Sequence, residues 1–362
     1  MNILENVSLA PYTSFFIGGP AKYFCEVANL SELAEAFDFA KKNKLNTFLL
    51  GGGSNILVSD AGFGGLVIRL VEKGIKIVDE NEHETMVEIA AGQQWDSVVQ
   101  FAVTHNLWGI ENLSHIPGNS GAFAVQNVGA YGQEASQVID LVNVYDTETE
   151  KVVGLTNTQC KFQYRASIFN REEHNRYVIL SLQLKLQKQG QPNLSYGDVA
   201  KYFGEKSPGE ISLGDLRQAI IEIRNRKYPF PVSAQTGSAG SFFRGPVITH
   251  KAWPDFESSL SKHFGTRIAI DLDAMKNRLE VPQGFKTPTA YLIDICGFKG
   301  LQVGGAIVNP DQAAVILNTG TATAKDVLDL FFAVQQGVMD KSGITLEHEP
   351  EFVGFEDEEF LV

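Results

Sequence analysis

The stretch IPGNSGAFAVQNVGAYG, Ile116–Gly132, constrains the fold of this chain more than any other. Its seventeen residues include four glycines and no charged side chain. Glycine is used where a backbone takes a positive φ or lies close to another group, and a run of backbone N–H groups can bind an anion without Lys or Arg. The stretch contains neither the GxGxxG fingerprint nor the GxxxxGK[ST] P-loop. Phe123, Val125 and Tyr131 favour a packed segment over a solvated glycine-rich loop.

A second glycine segment lies earlier in the chain. Gly51–Asn55, GGGSN, follows the apolar segment Thr47–Leu50, and α/β proteins often place ligand-binding loops directly after a strand. By itself this segment is equally consistent with a plain tight turn. Taken together, the two glycine segments predict a site that holds the two ends of a long cofactor carrying a pyrophosphate.

Composition narrows the class of protein. The chain has 362 residues with 44% hydrophobic content, which is enough for two or three domains with real cores. Its formal net charge of −13 disfavours a nucleic-acid groove, since that needs a basic stripe, but leaves room for a small anionic ligand held by local cations. No stretch approaches the roughly 20 apolar residues of a membrane helix, and Met1–Pro20 lacks the basic and apolar regions of a signal peptide.

The cysteines point to a reducing compartment. Cys25, Cys160 and Cys296 are odd in number and far apart, so they match neither a disulfide framework nor a zinc pattern. We therefore expect a cytoplasmic protein without a metal site and without a nucleic-acid or membrane partner.

Hydrophobic periodicity predicts a mixture of helices and strands, hence an α+β fold. The predicted helices are Ser31–Lys44 (with Ser31 as the N-cap), Trp95–His105, Leu213–Lys227 and Lys325–Asp340. The predicted strands are Thr47–Leu50, Gly65–Val71, Ile75–Asp79, Met86–Ala90, the hairpin Ile139–Asp146 with Lys151–Leu155, Tyr177–Leu186, Leu301–Val308, Ala314–Leu317 and Ile344–Glu349. The Pro-, Gly- and Ser-rich segment Tyr228–Gly240 predicts a domain boundary.

Three polar positions in apolar surroundings are candidates for chemistry. Ser241 lies between a glycine and two phenylalanines, and it is a candidate nucleophile or proton donor, although no GxSxG elbow surrounds it. A core turn that buries the phenylalanines is the common alternative. Arg165 lies among aromatic and apolar residues, where an arginine needs a carboxylate or phosphate partner, structural or functional. Glu349 precedes Pro350 after an apolar strand, a place where a carboxylate is most often exposed.

Seven motifs, in order and spacing, resemble the family of UDP-N-acetylenolpyruvoylglucosamine reductases, which are flavoenzymes. The resemblance covers nearly the whole chain. The motifs are LGGGSN at Leu50–Asn55, IPG…QN.GAYG at Ile116–Gly132, YR.SIF at Tyr164–Phe169, YGD at Tyr196–Asp198, GSFF at Gly240–Phe243, FKG followed by GG at Phe298–Gly305, and LE.E at Leu346–Glu349.

The resemblance implies a particular form of the α+β fold. A two-part FAD-binding module of the vanillyl-alcohol-oxidase (PCMH) type would be followed by a C-terminal α+β substrate-binding domain. The two FAD-binding subdomains would comprise residues 1–72 and 73–227, and the substrate-binding domain residues 228–362. The YGD motif implies the larger subclass of the family, whose tyrosine loop closes over the nucleotide substrate.

The implied activity belongs to peptidoglycan precursor biosynthesis. Hydride would pass from NADPH to non-covalent FAD and then to the enolpyruvyl ether of UDP-N-acetylglucosamine-enolpyruvate, giving UDP-N-acetylmuramate. By position in the motifs, Arg165 would stabilise the charge that builds on the substrate carboxylate. Glu349 would hydrogen-bond the same group in its protonated form, and Ser241 would protonate the intermediate. The expected partners are the UDP-sugar and NADPH alone, with the protein a monomer.

The resemblance also assigns binding residues, motif by motif. Those assigned to FAD are Gly51, Gly52, Gly53, Ser54, Asn55, Ile56, Pro117, Gly118, Ser120, Gly121, Gln126, Asn127, Gly129, Ala130, Tyr131, Gly132 and Ile179. Those assigned to the substrate are Tyr164, Arg165, Tyr196, Lys227, which would supply a cation for the diphosphate, and Gln312.

Three positions depart from the family pattern. Pro350 stands where an apolar residue is usual, Gly245 where an asparagine is frequent, and Asn309 where a histidine is frequent.

Three other functions compete with the main interpretation. A flavin-dependent alcohol oxidase would often tether its flavin through a histidine, which Gly53–Asn55 lacks. A non-catalytic flavin or nucleotide sensor would not need Arg165 together with a serine and a glutamate. A serine hydrolase would need the missing elbow.

Overall fold

The structure, a computed structural model, describes residues 1–356 and divides into two compact units. The first unit comprises Met1–Val7, Ala21–Gly53 and Gly64–Phe230, and the second comprises Ser8–Pro20, Ser54–Phe63 and the chain from Pro231 onward. Part of the acidic C-terminal sequence, from position 357, lies outside the described residues. No helix within residues 1–356 combines the length and the apolar character needed to cross a membrane.

Helices and strands are mixed along the described chain. The helices are α1 (Leu30–Asn43), α2 (Trp95–Thr104), α3 (Ser120–Val125), α4 (Gly197–Phe203), α5 (Leu213–Lys227), α6 (Trp253–Phe264), α7 (Arg267–Leu279), α8 (Thr289–Ile295) and α9 (Ala324–Ser342). The strands are β1 (Ile3–Ser8), β2 (Pro20–Val27), β3 (Thr47–Leu50), β4 (Ile56–Val58), β5 (Phe63–Leu70), β6 (Ile75–Glu80), β7 (Glu84–Ala90), β8 (Gly129–Ala130), β9 (Gln133–Glu134), β10 (Ile139–Asp146), β11 (Lys151–Thr156), β12 (Tyr177–Gln187), β13 (Phe243–Arg244), β14 (Val247–Thr249), β15 (Glu280–Val281), β16 (Gly284–Lys286), β17 (Gln302–Val303), β18 (Ala306–Val308), β19 (Ile316–Asn318), β20 (Glu347–His348) and β21 (Glu351–Val353).

The main sheet of the first unit has five antiparallel strands in the order β11-β10-β12-β7-β6. Strand β12 carries the alternating leucines Leu182, Leu184 and Leu186, all fully buried, because successive side chains of a strand point to opposite faces. Helix α3, which lies inside the glycine stretch, packs on β12 and β7. At its centre Phe123 stacks on Trp95 of α2, with ring centroids 4.0 Å apart. The glycine stretch is therefore part of a core and not a surface loop.

A second sheet of the first unit has the strand order β1-β2-β5-β3, in which β3 and β5 run parallel. Helix α1 buries Leu33 and Ala36 in one hydrophobic cluster with Leu66 and Ile68 of β5. This amphipathic pattern is the one that predicts the helix from sequence. Strand β3 ends at Leu50, so the first glycine segment begins where the strand stops.

The second unit is built around α9, which buries one face along its length. Its N-terminus is capped twice. The Thr323 hydroxyl accepts from Asp326 N at 3.0 Å, and the Asp60 carboxylate accepts from Ala324 N and Lys325 N at 2.8 and 3.0 Å. These bonds satisfy N–H groups that have no partner within the helix. Short strand pairs surround the helix, among them β13 with β20 and β4 with β21.

Most elements predicted from sequence are confirmed, and α5 has the predicted bounds. The N-cap of α1 was wrong: Asn29, two residues before Ser31, accepts from Glu32 N at 3.0 Å. The predicted strand over 301–308 is the hairpin of β17 and β18, since Gly304 takes a φ of 52° at its turn. The strand predicted over 344–349 shortens to Glu347–His348.

Removing the Trp95 ring tests the packing of the glycine stretch. The ring is fully buried, and its Nε1–H donates to the Leu113 carbonyl at 3.0 Å. We expect Trp95→Ala to cost about 3–5 kcal/mol of unfolding free energy, as large-to-small core substitutions do. Trp95→Phe keeps a ring against Phe123 and should cost less than half as much. Urea denaturation followed by far-UV circular dichroism measures both, and equal losses would contradict a role for the stacking.

Candidate active site

The two glycine segments meet backbone to backbone within the first unit. A Cβ added to Gly52 would lie 2.5 Å from the Gly118 Cα and 2.9 Å from the Asn119 N, so even a methyl group has no room. Gly118 takes a φ of 122° and Gly53 a φ of 61°, conformations that L side chains rarely adopt. A surface made of peptide groups suits a pyrophosphate, because amide dipoles bind anions without formal charge. The residues present therefore fit a cofactor with a pyrophosphate.

Several residues assigned to FAD shape the glycine stretch with their side chains. The Ser120 hydroxyl, fully buried at the start of α3, donates to the Gln93 carbonyl at 3.0 Å. The Asn127 amide, 1% exposed, donates to the Glu134 carboxylate at 3.1 Å and accepts from Ser136 N at 2.9 Å. The side chains of Ser120 and Asn127 therefore hold the glycine stretch in shape by bonding to neighbouring protein groups.

Packing explains two further positions. A Cβ on Gly121 would lie 2.9 Å from the Ala91 Cβ, so this glycine lets α3 approach the end of β7. Ile179, also assigned to FAD, is a buried residue of β12 that pairs with Val144 of β10. Pro117, Gln126 and Ala130 are each half-buried.

A buried amide that the sequence did not reveal holds the end of the glycine stretch. Asn112 is completely buried, and its Nδ2 donates to the Tyr131 carbonyl at 2.7 Å and to the Asn193 carbonyl at 2.9 Å. Asn193 Nδ2 in turn donates to the Gly132 carbonyl at 2.9 Å. These bonds tie the stretch to the segment that leads into Tyr196. No sequence signal marks Asn112, because a buried asparagine is recognised only by its partners.

Arg165 lies at the same end of the stretch. Its Nη2 donates to the Gly129 carbonyl at 3.0 Å, and its guanidinium carbon lies 5.1 Å from the centroid of the Tyr164 ring. The Arg165 backbone takes a φ of 55°, and its carbonyl accepts from Asn170 Nδ2 at 3.2 Å. Local structure thus fixes a half-buried cation beside the glycine stretch. Tyr164 itself is 46% exposed.

Lys227, the last residue of α5, lies between two tyrosines. Its Nζ is 5.7 Å from the ring centroid of Tyr131 and 5.5 Å from that of Tyr196, and it donates to Asp198 Oδ2 at 2.6 Å. Burial lowers the pKa of Lys227, but the hydrogen bond to Asp198 and the two tyrosines outweigh it, so the net pKa is raised. The ammonium is therefore charged at neutral pH. Asp198 belongs to the YGD motif, yet no sequence pattern pairs it with a lysine 29 positions away.

The second unit places Ser241 beside the turn that contains Gln312. Ser241 forms an isolated β-bridge with Val315, whose N–H donates to the Gln312 carbonyl at 2.9 Å. Phe242 and Phe243 are buried, but Ser241 is exposed. Ser241 is exposed because the two rings fill the core while the bridge leaves the preceding side chain outside.

The same unit fixes the backbone of Glu349 on both sides. Its N–H donates to the Phe242 carbonyl at 2.9 Å, and its carbonyl accepts from Asn55 Nδ2 at 3.3 Å. Before it, β20 pairs antiparallel with β13, and after Pro350, β21 pairs parallel with β4. Glu349 thus lies where the chain changes from pairing with β13 to pairing with β4. Its backbone partner, Phe242, directly follows Ser241.

The first glycine segment is shared by the two units. Gly51, Gly52 and Gly53 belong to the first, whereas Ser54, Asn55 and Ile56 belong to the second. In the second unit the Asn55 carbonyl accepts from Glu351 N at 3.0 Å. Asn55, assigned to the cofactor from sequence, therefore also supports the strand that carries Glu349.

The departures from the family pattern have local explanations at two positions. A side chain at Gly245 would collide with Thr287, whose hydroxyl donates to the Pro246 carbonyl at 2.5 Å. Asn309 is buried, and its Oδ1 accepts from Asp311 N at 2.8 Å, which forms a turn before Gln312.

Comparisons with known proteins agree with this geometry. Residues 21–155 match an FAD binding domain, and residues 231–353 match the C-terminal domain of UDP-N-acetylenolpyruvoylglucosamine reductase. The chain is 37% identical over 354 residues to the UDP-N-acetylenolpyruvoylglucosamine reductase of Neisseria meningitidis serogroup A, covering 97% of each chain. It is 35% identical over 363 residues to that of Aliivibrio fischeri, covering 100% of this chain and 97% of the relative.

A solved structure shares the fold. The UDP-N-acetylenolpyruvylglucosamine reductase of Thermus caldophilus superposes with a TM-score of 0.66 at 24% identity, over 98% of this chain and 99% of that one. The matches confirm the α+β class, with an FAD-binding module of the vanillyl-alcohol-oxidase (PCMH) type and a C-terminal α+β domain.

Adding one methyl group at Gly52 tests the cofactor cradle, the backbone surface formed by Gly51–Asn55 and the start of the glycine stretch. Because the methyl would meet the backbone of Gly118, which cannot swing aside, we expect Gly52→Ala to weaken FAD binding by about tenfold to a hundredfold. Gly64→Ala is the matched control, since a Cβ there meets nothing within 4 Å. Titration of the apoprotein with FAD, followed by quenching of flavin fluorescence, measures both. Unchanged affinity in Gly52→Ala would show that FAD does not depend on this contact.

Proposed function

Because this chain belongs to the family of UDP-N-acetylenolpyruvoylglucosamine reductases, which are FAD-dependent oxidoreductases, we propose that it uses NADPH to reduce the enolpyruvyl ether of UDP-N-acetylglucosamine-enolpyruvate to UDP-N-acetylmuramate. The product is a precursor of peptidoglycan. When bound, FAD supplies two-electron hydride carriage between NADPH and the enolpyruvyl group. The residues that would hold it are those of the two glycine segments.

The position of Arg165 gives the proposal its main support. An enol ether is electron-rich and resists hydride, so the reaction needs the conjugated carboxylate of the substrate to draw electron density away. Negative charge then grows on that carboxylate, and a fixed cation aimed at it lowers the barrier. Arg165 is such a cation, held against the Gly129 carbonyl at the end of the stretch that lines the cofactor cradle.

Two residues of the second unit complete the proposed chemistry. Glu349, in its protonated form, would donate a hydrogen bond to the same carboxylate from a backbone that is bonded on both sides. The Ser241 hydroxyl would deliver a proton to the carbon that does not receive hydride. Its exposure suits direct contact with a substrate.

The remaining assignments concern binding. Tyr196, Lys227 and Gln312 would contact the UDP portion, with the Lys227 ammonium facing the diphosphate, and Tyr164 would contact the substrate beside Arg165. On the YGD motif we propose that the chain belongs to the larger subclass with the tyrosine loop. We also propose the division into residues 1–72, 73–227 and 228–362, a monomeric state and a cytoplasmic location.

An anaerobic two-step titration tests the reaction. The purified protein should be yellow and should release its flavin on denaturation. NADPH should bleach the bound flavin without air, and the enolpyruvyl sugar nucleotide should restore the colour within seconds. An oxidase would be reoxidised by oxygen instead, and a sensor by neither. Absorbance at the flavin band measures each step, and a reduced flavin that ignores the sugar nucleotide would refute the proposal.

Ser241→Ala separates the two half-reactions. If Ser241 donates the proton, its removal should slow flavin reoxidation by the sugar nucleotide by about 10²–10⁴-fold, the usual range for a lost general acid. Reduction by NADPH should stay within about twofold of the wild-type rate, since it needs no proton from Ser241. Ser259→Ala, an exposed serine on α6, is the control. Stopped-flow absorbance measures both steps, and equal slowing of the two would assign Ser241 a structural role.

A further inference from the structure

Lys227 and Asp198 form a hydrogen-bonded ion pair in the first unit. The Nζ to Oδ2 distance of 2.6 Å is that of a strong charge-assisted hydrogen bond. The Lys227 side chain is 25% exposed and that of Asp198 46% exposed, so a ligand from solvent can reach the pair. The carboxylate therefore lies where an anionic group of a ligand would meet the ammonium.

The carboxylate belongs to a segment that is anchored at both ends. At one end, Asn193 is bonded to the Gly132 carbonyl and to the Asn112 amide. At the other end, α4 buries Val199 and Phe203 in one hydrophobic cluster with α5. Between the anchors lie Tyr196 and Asp198, with the Tyr196 ring 5.1 Å from that of Tyr131. Asp198 thus lies in the first turn of α4, directly before the buried Val199, and its carboxylate is held near Lys227.

We infer that Asp198 is an internal counter-ion of Lys227, which competes with the diphosphate of the nucleotide substrate and so sets the affinity for it. This inference rests on the proposed function, because that function supplies the diphosphate. Asp198 is a positioning residue here and takes no part in the chemical step. Its exchange for phosphate oxygens keeps Lys227 paired in the free and in the bound protein.

The sign of the effect separates this role from its main alternative. If Asp198 competes with the ligand, a neutral side chain of the same shape strengthens ligand binding. If Asp198 instead orients Lys227 toward the ligand, the same change weakens binding. A part-exposed ion pair contributes little to stability, so the substitution leaves the fold intact and the comparison clean.

The test compares Asp198→Asn with Glu205→Gln in the FAD-loaded protein. Both variants remove one negative charge, and Glu205 is an exposed residue of the turn after α4. For Asp198→Asn we expect the KM for the enolpyruvyl sugar nucleotide, and the Kd of UDP measured by calorimetry, to fall about two- to fivefold. The kcat should be unchanged, and Glu205→Gln should match the wild type in all three quantities.

A double-mutant cycle with Lys227→Met assigns the effect to the pair. In the Lys227→Met background, Asp198→Asn should no longer change the Kd of UDP, because the cation it competes for is gone. A raised KM in Asp198→Asn, a change equal to that of Glu205→Gln, or a gain that persists without Lys227 would each overturn the inference.

The outcomes also separate this inference from the proposed function. If the wild type turns over the sugar nucleotide but Asp198→Asn does not lower the KM or the Kd of UDP, only the counter-ion role is refuted. If the wild type does not turn over the sugar nucleotide, the proposed function fails. Binding of inorganic pyrophosphate to the same variants then decides the counter-ion role by the same signs.

Discussion

At Gly52 the polypeptide backbone lies against the backbone of Gly118 with no space for a methyl group between them. This contact brings together two segments that are far apart in sequence, one at the end of β3 and one leading into α3. The core beneath it is arranged to permit the approach. Trp95 stacks on Phe123, and Gly121 lets α3 rest on Ala91. The close contact of Gly52 with Gly118 therefore shapes both the proposed cofactor site and the packing of the core beneath it.

The absence of charge in the glycine stretch has a physical consequence. Amide groups bind a pyrophosphate through their dipoles, which leaves formal cations for other anions. In the first unit Arg165 and Lys227 both lie at the far end of the stretch, near Gly129 and Tyr131 respectively. Under the proposed function, one segment would recognise two kinds of anion, with amide dipoles at its start and formal charges at its end.

Local patterns in the sequence were enough for elements whose stability is local. The bounds of α5 and the β10–β11 hairpin follow from periodicity and capping. Periodicity and capping did not predict helix α3, because glycine is a poor helix former and this helix is stabilised by its packing on the sheet. The bridge between Ser241 and Val315 joins residues far apart in sequence, so local patterns do not reveal it either.

The candidate site shows the same limit. The resemblance assigns roles to Arg165, Lys227 and Glu349, but it does not reveal the hydrogen bonds that order the chain around them. Asn112 reaches Tyr131 only after folding, and Asn55 reaches Glu349 across 294 positions. Hydrogen bonds over such separations leave no trace in the spacing of one sequence.

The second unit is discontinuous, and this bears on how the protein can be divided. Its hydrophobic core includes Phe15, Ile17 and Leu57, which come from two short segments embedded in the N-terminal part of the chain. Asn318 Nδ2 donates to the Phe15 carbonyl at 3.0 Å, and β4 pairs with β21. A fragment cut at Pro231 would lack these residues and expose the surfaces they cover. The C-terminal region is therefore a unit of homology rather than an independent unit of folding, because its core closes only when it joins two segments synthesised well before it.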